Sequence, residues 1–157
     1  MNNLADYLND HLGGSVGALE LLDHLSGKLK NENADLAAFL RTLRREIEAD
    51  QDALKELLGR IAHESVLRKA LGWLGEKVGR IKLATDGVGE GEPGLLESLE
   101  ILALGITGKR LLWSALRAAE VAAARSLDLP GLERRAEEQF RQVEEWRLKT
   151  ARMALAG

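Results

Sequence analysis

Leucines and alanines recur every third or fourth residue along most of this chain, with polar and charged residues between them. That spacing predicts amphipathic helices rather than strands. Periodicity and punctuation divide the chain into five helical segments. The first spans about 3–29, with Leu4, Leu8, Leu22, Leu25 and Leu29 on one face, Asn3 as N-cap and Asp6 in the first turn. The second spans about 34–62 and carries the clearest heptad-like stripe: Leu36, Leu40, Leu43, Ile47, Leu54, Leu57 and Ile61. A shorter third covers about 66–83, followed by the glycine-rich stretch 86–94 that reads as a flexible loop. The fourth opens near Pro93, a residue suited to a first helical turn, and runs to about 125. After a turn at 126–130, Asp128 or Pro130 starts the fifth, which reaches about 154 with Leu132, Ala136, Val143 and Ala154 inward.

Composition supports that reading and narrows the chemistry. The 157 residues fit a single domain, 1–157, large enough to bury a real core. Apolar residues make up 45 % of the chain and aromatics only 4 %, an inventory of helix formers. There is no cysteine, which excludes a disulfide scaffold, a thiolate nucleophile and a cysteine-ligated zinc. With 22 basic and 25 acidic side chains the net charge is −3, without the basic excess of a nucleic-acid binder. The first residues lack a basic and apolar leader pattern, and the run 101–106 is too short to cross a bilayer. A cytoplasmic location is the expectation.

The order of lengths predicts topology. Two long helices joined by a short loop are followed by a long connection carrying the short helix, and then by two more long helices joined by a short turn. Two hairpins joined by one crossover is the ferritin-like arrangement of a four-helix bundle, here with a fifth helix in the crossover. With Tyr7-Leu8-Asn9-Asp10-His11-Leu12 in the first helix and Glu46-Ile47-Glu48-Ala49-Asp50 in the second, the chain resembles the small members of the ferritin-like superfamily. The resemblance implies a di-iron site built from a Glu on each of two helices and Glu-x-x-His on the other two. This chain departs from that pattern. Its histidines are His11, His24 and His63, and Leu8, Leu21 and Arg60 stand three residues before them. No Glu-x-x-His occurs, and the last helix has no histidine.

Polar residues nevertheless interrupt the core stripes where such a site would lie. His11 falls on the apolar face of the first helix, Asp50 between Ile47 and Leu54, and Gln139 and Arg147 beside the line through Ala136 and Val143. Two readings follow. One is a metal-free, hydrogen-bonded polar cluster that fixes helix register, because buried polar groups must be paired. The other is a reduced iron or manganese site using His11, Asp50 and Glu46. The first is favoured, since so few ligands hold a transition metal poorly.

Other constellations carry less. Gly105-Ile106-Thr107-Gly108-Lys109-Arg110 looks superficially like a phosphate loop but has Ala103 and Arg110 where the pattern needs Gly and Ser or Thr; its glycines are expected to allow close helix packing. Glu20 with His24 is expected to be an exposed helical pair, and Ser15 lies one turn from His11 with no acid to complete a triad. Arg134, Arg135, Arg141 and Lys149, interleaved with glutamates, read as a salt-bridged solvent face. Trp73, Trp113 and Trp146 read as core or interface anchors.

The fourth helix is the anomaly. Leu95, Leu99, Leu102, Ile106 and Trp113 form one apolar face, while Ile101, Leu104, Gly105, Gly108, Leu112, Ala115 and Ala119 form nearly the opposite one. A helix apolar on both sides needs two covers: the crossover helix for one, and a second copy of the chain for the other. A homodimer is therefore expected. The functional expectation is a non-enzymatic structural or interaction module without a cofactor. The alternatives are a metal-dependent oxidoreductase or iron-handling protein, and a binder of a small apolar molecule between helices.

Overall fold

The computed structural model describes residues 3–61 and 94–156. Within them the chain is all-α. Helix α1 covers Asn3–Leu29, α2 Ala34–Ile61, α3 Leu95–Ala118 and α4 Leu129–Leu155, with one 3-10 turn at Ala122–Ala124 between α3 and α4. The expected crossover helix 66–83, with His63 and Trp73, lies outside the described residues. No described helix is long and apolar enough to cross a membrane.

Local chemistry sets the helix boundaries. Asn33 starts α2: its side-chain oxygen accepts from the Leu36 N–H at 3.0 Å, satisfying a first-turn donor that the helix cannot. Asp128 caps α4 in the same way, accepting from Gly131 N–H at 3.0 Å, with Pro130 in the first turn. A Cβ at Gly131 would come within 2.2 Å of the capping carboxylate, so a larger residue there would displace the Asp128 cap.

The fourth predicted helix ends earlier than the expected residue 125. Glu120 adopts φ 48°, and the chain closes α3 with hydrogen bonds from Glu120 N–H to Arg117 O at 3.1 Å and Val121 N–H to Leu116 O at 3.2 Å. This is the Schellman ending, with its usual apolar contact made by Val121 against the core around Leu116. Glycine normally fills the left-handed position. Here a glutamate does, so the sequence carries no visible stop signal.

The apolar faces meet in two clusters. One gathers Leu19–Leu29 of α1, the first half of α2, Leu99–Ile106 of α3 and Ala136 and Val143 of α4. The other gathers Ala5, Leu8 and Leu12, the end of α2, Leu112, Trp113 and Leu116, and Leu129. These memberships fix the helix directions. The start of α1, the ends of α2 and α3 and the start of α4 share one end of the bundle. Helices α2 and α3 therefore run parallel to each other, and α1 and α4 run opposite to them. The end of α2 and the start of α3 thus lie at opposite ends of the bundle, roughly 40 Å apart for helices of this length. Besides the pairing within each hairpin, α1 packs on α3 and, more lightly, α2 on α4.

The inward face of α3 is the one through Leu99, Leu102, Ile106 and Trp113, all buried. Of the opposite face, only Leu112 is buried. Ala154, expected inward, is exposed, because α4 outruns the helices it packs against. We expect Glu120→Gly to raise stability by about 0.5–1 kcal/mol, since glycine relieves the left-handed strain but adds freedom to the unfolded chain. Urea denaturation checks this; no gain would mean that the glutamate is held there without strain.

Candidate functional site

Asp50 shares its stripe of α2 with Ile47 and Leu54, so docking the helix carries the carboxylate inside, where it is only 3 % exposed. A buried carboxylate is tolerated only when it is paired. Two cations from the second hairpin pair it. Lys109 of α3 donates to Asp50 Oδ2 at 2.5 Å, and Arg135 of α4 donates to Oδ1. Lys109 also donates to Gln139 Oε1, and Gln139 Nε2 donates to Glu46 Oε2 at 3.0 Å. The network thus joins three helices and crosses between the hairpins. Burial pushes the Lys109 ammonium below the ordinary lysine range, while the Asp50 charge and its hydrogen bond pull it back up.

Beside the network, α1, α2 and α3 enclose a cavity of about 230 Å3. Its walls are mainly apolar, with Ile47, Leu54, Leu102, Ile106, Leu112 and the Trp113 ring. Polar groups reach it from His11, Ser15, Gln51, Asp50 and Lys109. Asp10, Gly14 and Gly105 also line it and are themselves exposed, which places its mouth between α1 and α3. His11 is half-buried and sets its ring edge-on to Tyr7, with centroids 4.8 Å apart. Burial lowers the His11 pKa, against a smaller raising effect from Asp10. The buried Trp113 Nε1–H and Asn9 Oδ1 find no hydrogen-bond partner.

The polar residues singled out in the sequence are only partly brought together. Asp50, Glu46 and Gln139 meet in one network. His11 faces the cavity and is not bonded to Asp50. Ser15 does not bond to His11; it donates to Leu12 O at 2.6 Å and accepts from Gln51 Nε2 at 2.9 Å. Arg147 lies two turns beyond Gln139 and forms ion pairs with Glu144 and Glu100 instead. The expected close packing at Gly105 and Gly108 is also not what the structure has: a Cβ at either would meet nothing within 4 Å. Both glycines line the cavity instead.

Two members of the network were not anticipated. Arg135 lies in a segment that reads as a solvated charge pattern, and Arg141 does form such a surface set with Glu138 and Glu145. Arg135 is likewise on the surface, 41 % exposed, but its guanidinium reaches over to the buried Asp50. Lys109 was legible in principle, as a cation on the inward stripe of α3 between Ile106 and Trp113.

The donors present do not fit the metal that a ferritin-like fold implies. Both Asp50 oxygens are engaged by cations, so a divalent ion there would face Lys109 and Arg135 at close range. Among the described residues, no group of three or more His, Asp or Glu is placed to hold one. Comparison with protein-family models, curated proteins and solved structures returns no match.

Asp50→Ala leaves two cations facing each other without their anion, and should cost about 3–5 kcal/mol in urea denaturation. Adding Lys109→Met should recover part of that loss; a single variant as stable as the parent would show that the pairing carries no weight. His11 binds its proton less readily folded than unfolded, so its contribution to stability is intact above the ordinary histidine range and declines as pH falls through that range. His11→Phe should remove this part of the acid decline. A variant whose denaturation midpoints run parallel to the parent's from neutral to mildly acid pH would contradict it.

Proposed function

We propose that this chain is a ferritin-like bundle that works as a non-enzymatic interaction module and pairs with a second copy of itself. The antiparallel hairpins, with α2 and α3 parallel, support the ferritin-like topology. The doubly compensated Asp50 supports a core that holds helices in register where relatives of that fold hold metal.

The observation that carries the interaction reading is the outward stripe of α3. Ile101 is 50 % exposed, Leu104 73 % and Leu111 52 %. With Gly108 and the exposed Ala115 they follow alternating three- and four-residue steps: 101, 104, 108, 111, 115. That is the seam by which one helix pairs with another. Exposed large apolar residues at seam spacing differ from the scattered ones that any surface carries. Gly108 and Ala115 leave room for a close approach, and a two-fold axis lets the stripe pair with itself.

Light scattering on the eluting protein at tens of micromolar tests this. The expected mass is that of two chains, falling to one for Leu104→Lys with helix content unchanged. A one-chain mass for the unaltered protein would overturn the self-association reading.

A further inference from the structure

The cavity between α1, α2 and α3 has a composition that the Asp50 network and the α3 stripe do not explain. It is a recess of about 230 Å3 that opens to solvent between α1 and α3. An apolar cavity of about 150 Å3 already accommodates benzene. Here the walls come from Ile47, Leu54, Leu102, Ile106, Leu112 and Trp113. Three glycines, Gly14, Gly105 and Gly108, line it, and a Cβ at any of them would enter open space. Glycine in mid-helix is destabilising relative to alanine by roughly 0.5–1 kcal/mol, and none of the three closes a packing contact within the chain.

We propose that this cavity is a binding site for a small, uncharged, largely apolar molecule that carries one hydrogen-bond acceptor, with Lys109 as the donor to it. An ammonium has three N–H donors. Among the described residues Lys109 commits them to two acceptors, Asp50 Oδ2 and Gln139 Oε1, which leaves one for a ligand. Charge selects against ionic ligands. Lys109 and Arg135 are matched by Asp50 and Glu46, so a ligand's own charge finds no free counter-ion, and Asp10 at the mouth repels anions. The volume suits a single ring with a short substituent.

Three probes of one shape separate the elements of this proposal: acetophenone, ethylbenzene and benzoate, each titrated into the full chain and followed by calorimetry and by shifts of the tryptophan indole N–H resonances. Acetophenone should bind saturably, one per chain, with a Kd of about 1 mM or tighter for a ligand of this size. Ethylbenzene, which lacks the acceptor, should bind about three- to tenfold more weakly, and benzoate more weakly than acetophenone. Gly105→Leu fills the mouth while improving helix propensity; it should abolish binding of both neutral probes and leave the melting temperature unchanged or higher. Lys109→Met, made with Asp50→Asn so that no unpaired carboxylate stays buried, should bring acetophenone and ethylbenzene to equal affinity. Absence of saturable binding by both neutral probes overturns the site. Binding that survives in Gly105→Leu overturns its location. Benzoate binding as tightly as acetophenone overturns the ligand class, and a preference for acetophenone that persists in the double variant overturns the role of Lys109.

Discussion

The carboxylate of Asp50 is the constraint on which the arrangement of this bundle turns. Burying it without partners would cost more than one helix contact can offset. Its partners come from the other hairpin, Lys109 from α3 and Arg135 from α4. The hairpins therefore cannot slide or rotate past each other without exposing an unpaired charge to an apolar interior. Apolar contacts give the bundle its stability but little register, because leucine stripes shifted by one turn still meet leucines. The polar layer lies between the two apolar clusters on α2 and α3, and it penalises such shifts strongly. A buried pair is a poor source of net stability but a good device for choosing one alignment among several.

The same layer shapes what lies beside it. Lys109 has a long side chain that must reach Asp50 across the space between α2 and α3, and the glycines at 105 and 108 leave that region thinly filled. The result is a cavity with apolar walls and one cationic group at its edge, opening toward the α1–α3 surface. The outward stripe of α3 adjoins this region, since Gly108 belongs to both. Self-association through the stripe and access to the cavity are therefore physically close, and residues between them bear on both.

Much of the fold was legible because helix formation is governed locally. Periodic leucines, Asn33 before α2 and Asp128 with Pro130 before α4 each act within a turn or two of chain. The end of α3 was not legible, because Glu120 occupies a left-handed position that local rules reserve for glycine, and the Schellman hydrogen bonds with the packing of Val121 hold it there. Asp50 and Gln139 stood out as polar residues in apolar stripes. Arg135 did not, because a long side chain on the edge of a charged face can turn either way, and only the neighbour's charge decides.

Local pattern alone was enough to read the described residues as all-α, to exclude thiol chemistry, to pair the helices into hairpins, and to find α3 apolar on two sides. Composition and short-range periodicity suffice for those. Helix packing, by contrast, set which side of α3 faces inward, brought Lys109 and Arg135 rather than Arg147 to the buried carboxylate, and left the glycines of α1 and α3 lining a cavity instead of closing a contact within the chain. Those outcomes depend on which residues far apart in sequence come within a few ångströms of one another, and periodicity along one helix holds no information about the rotation of its neighbour.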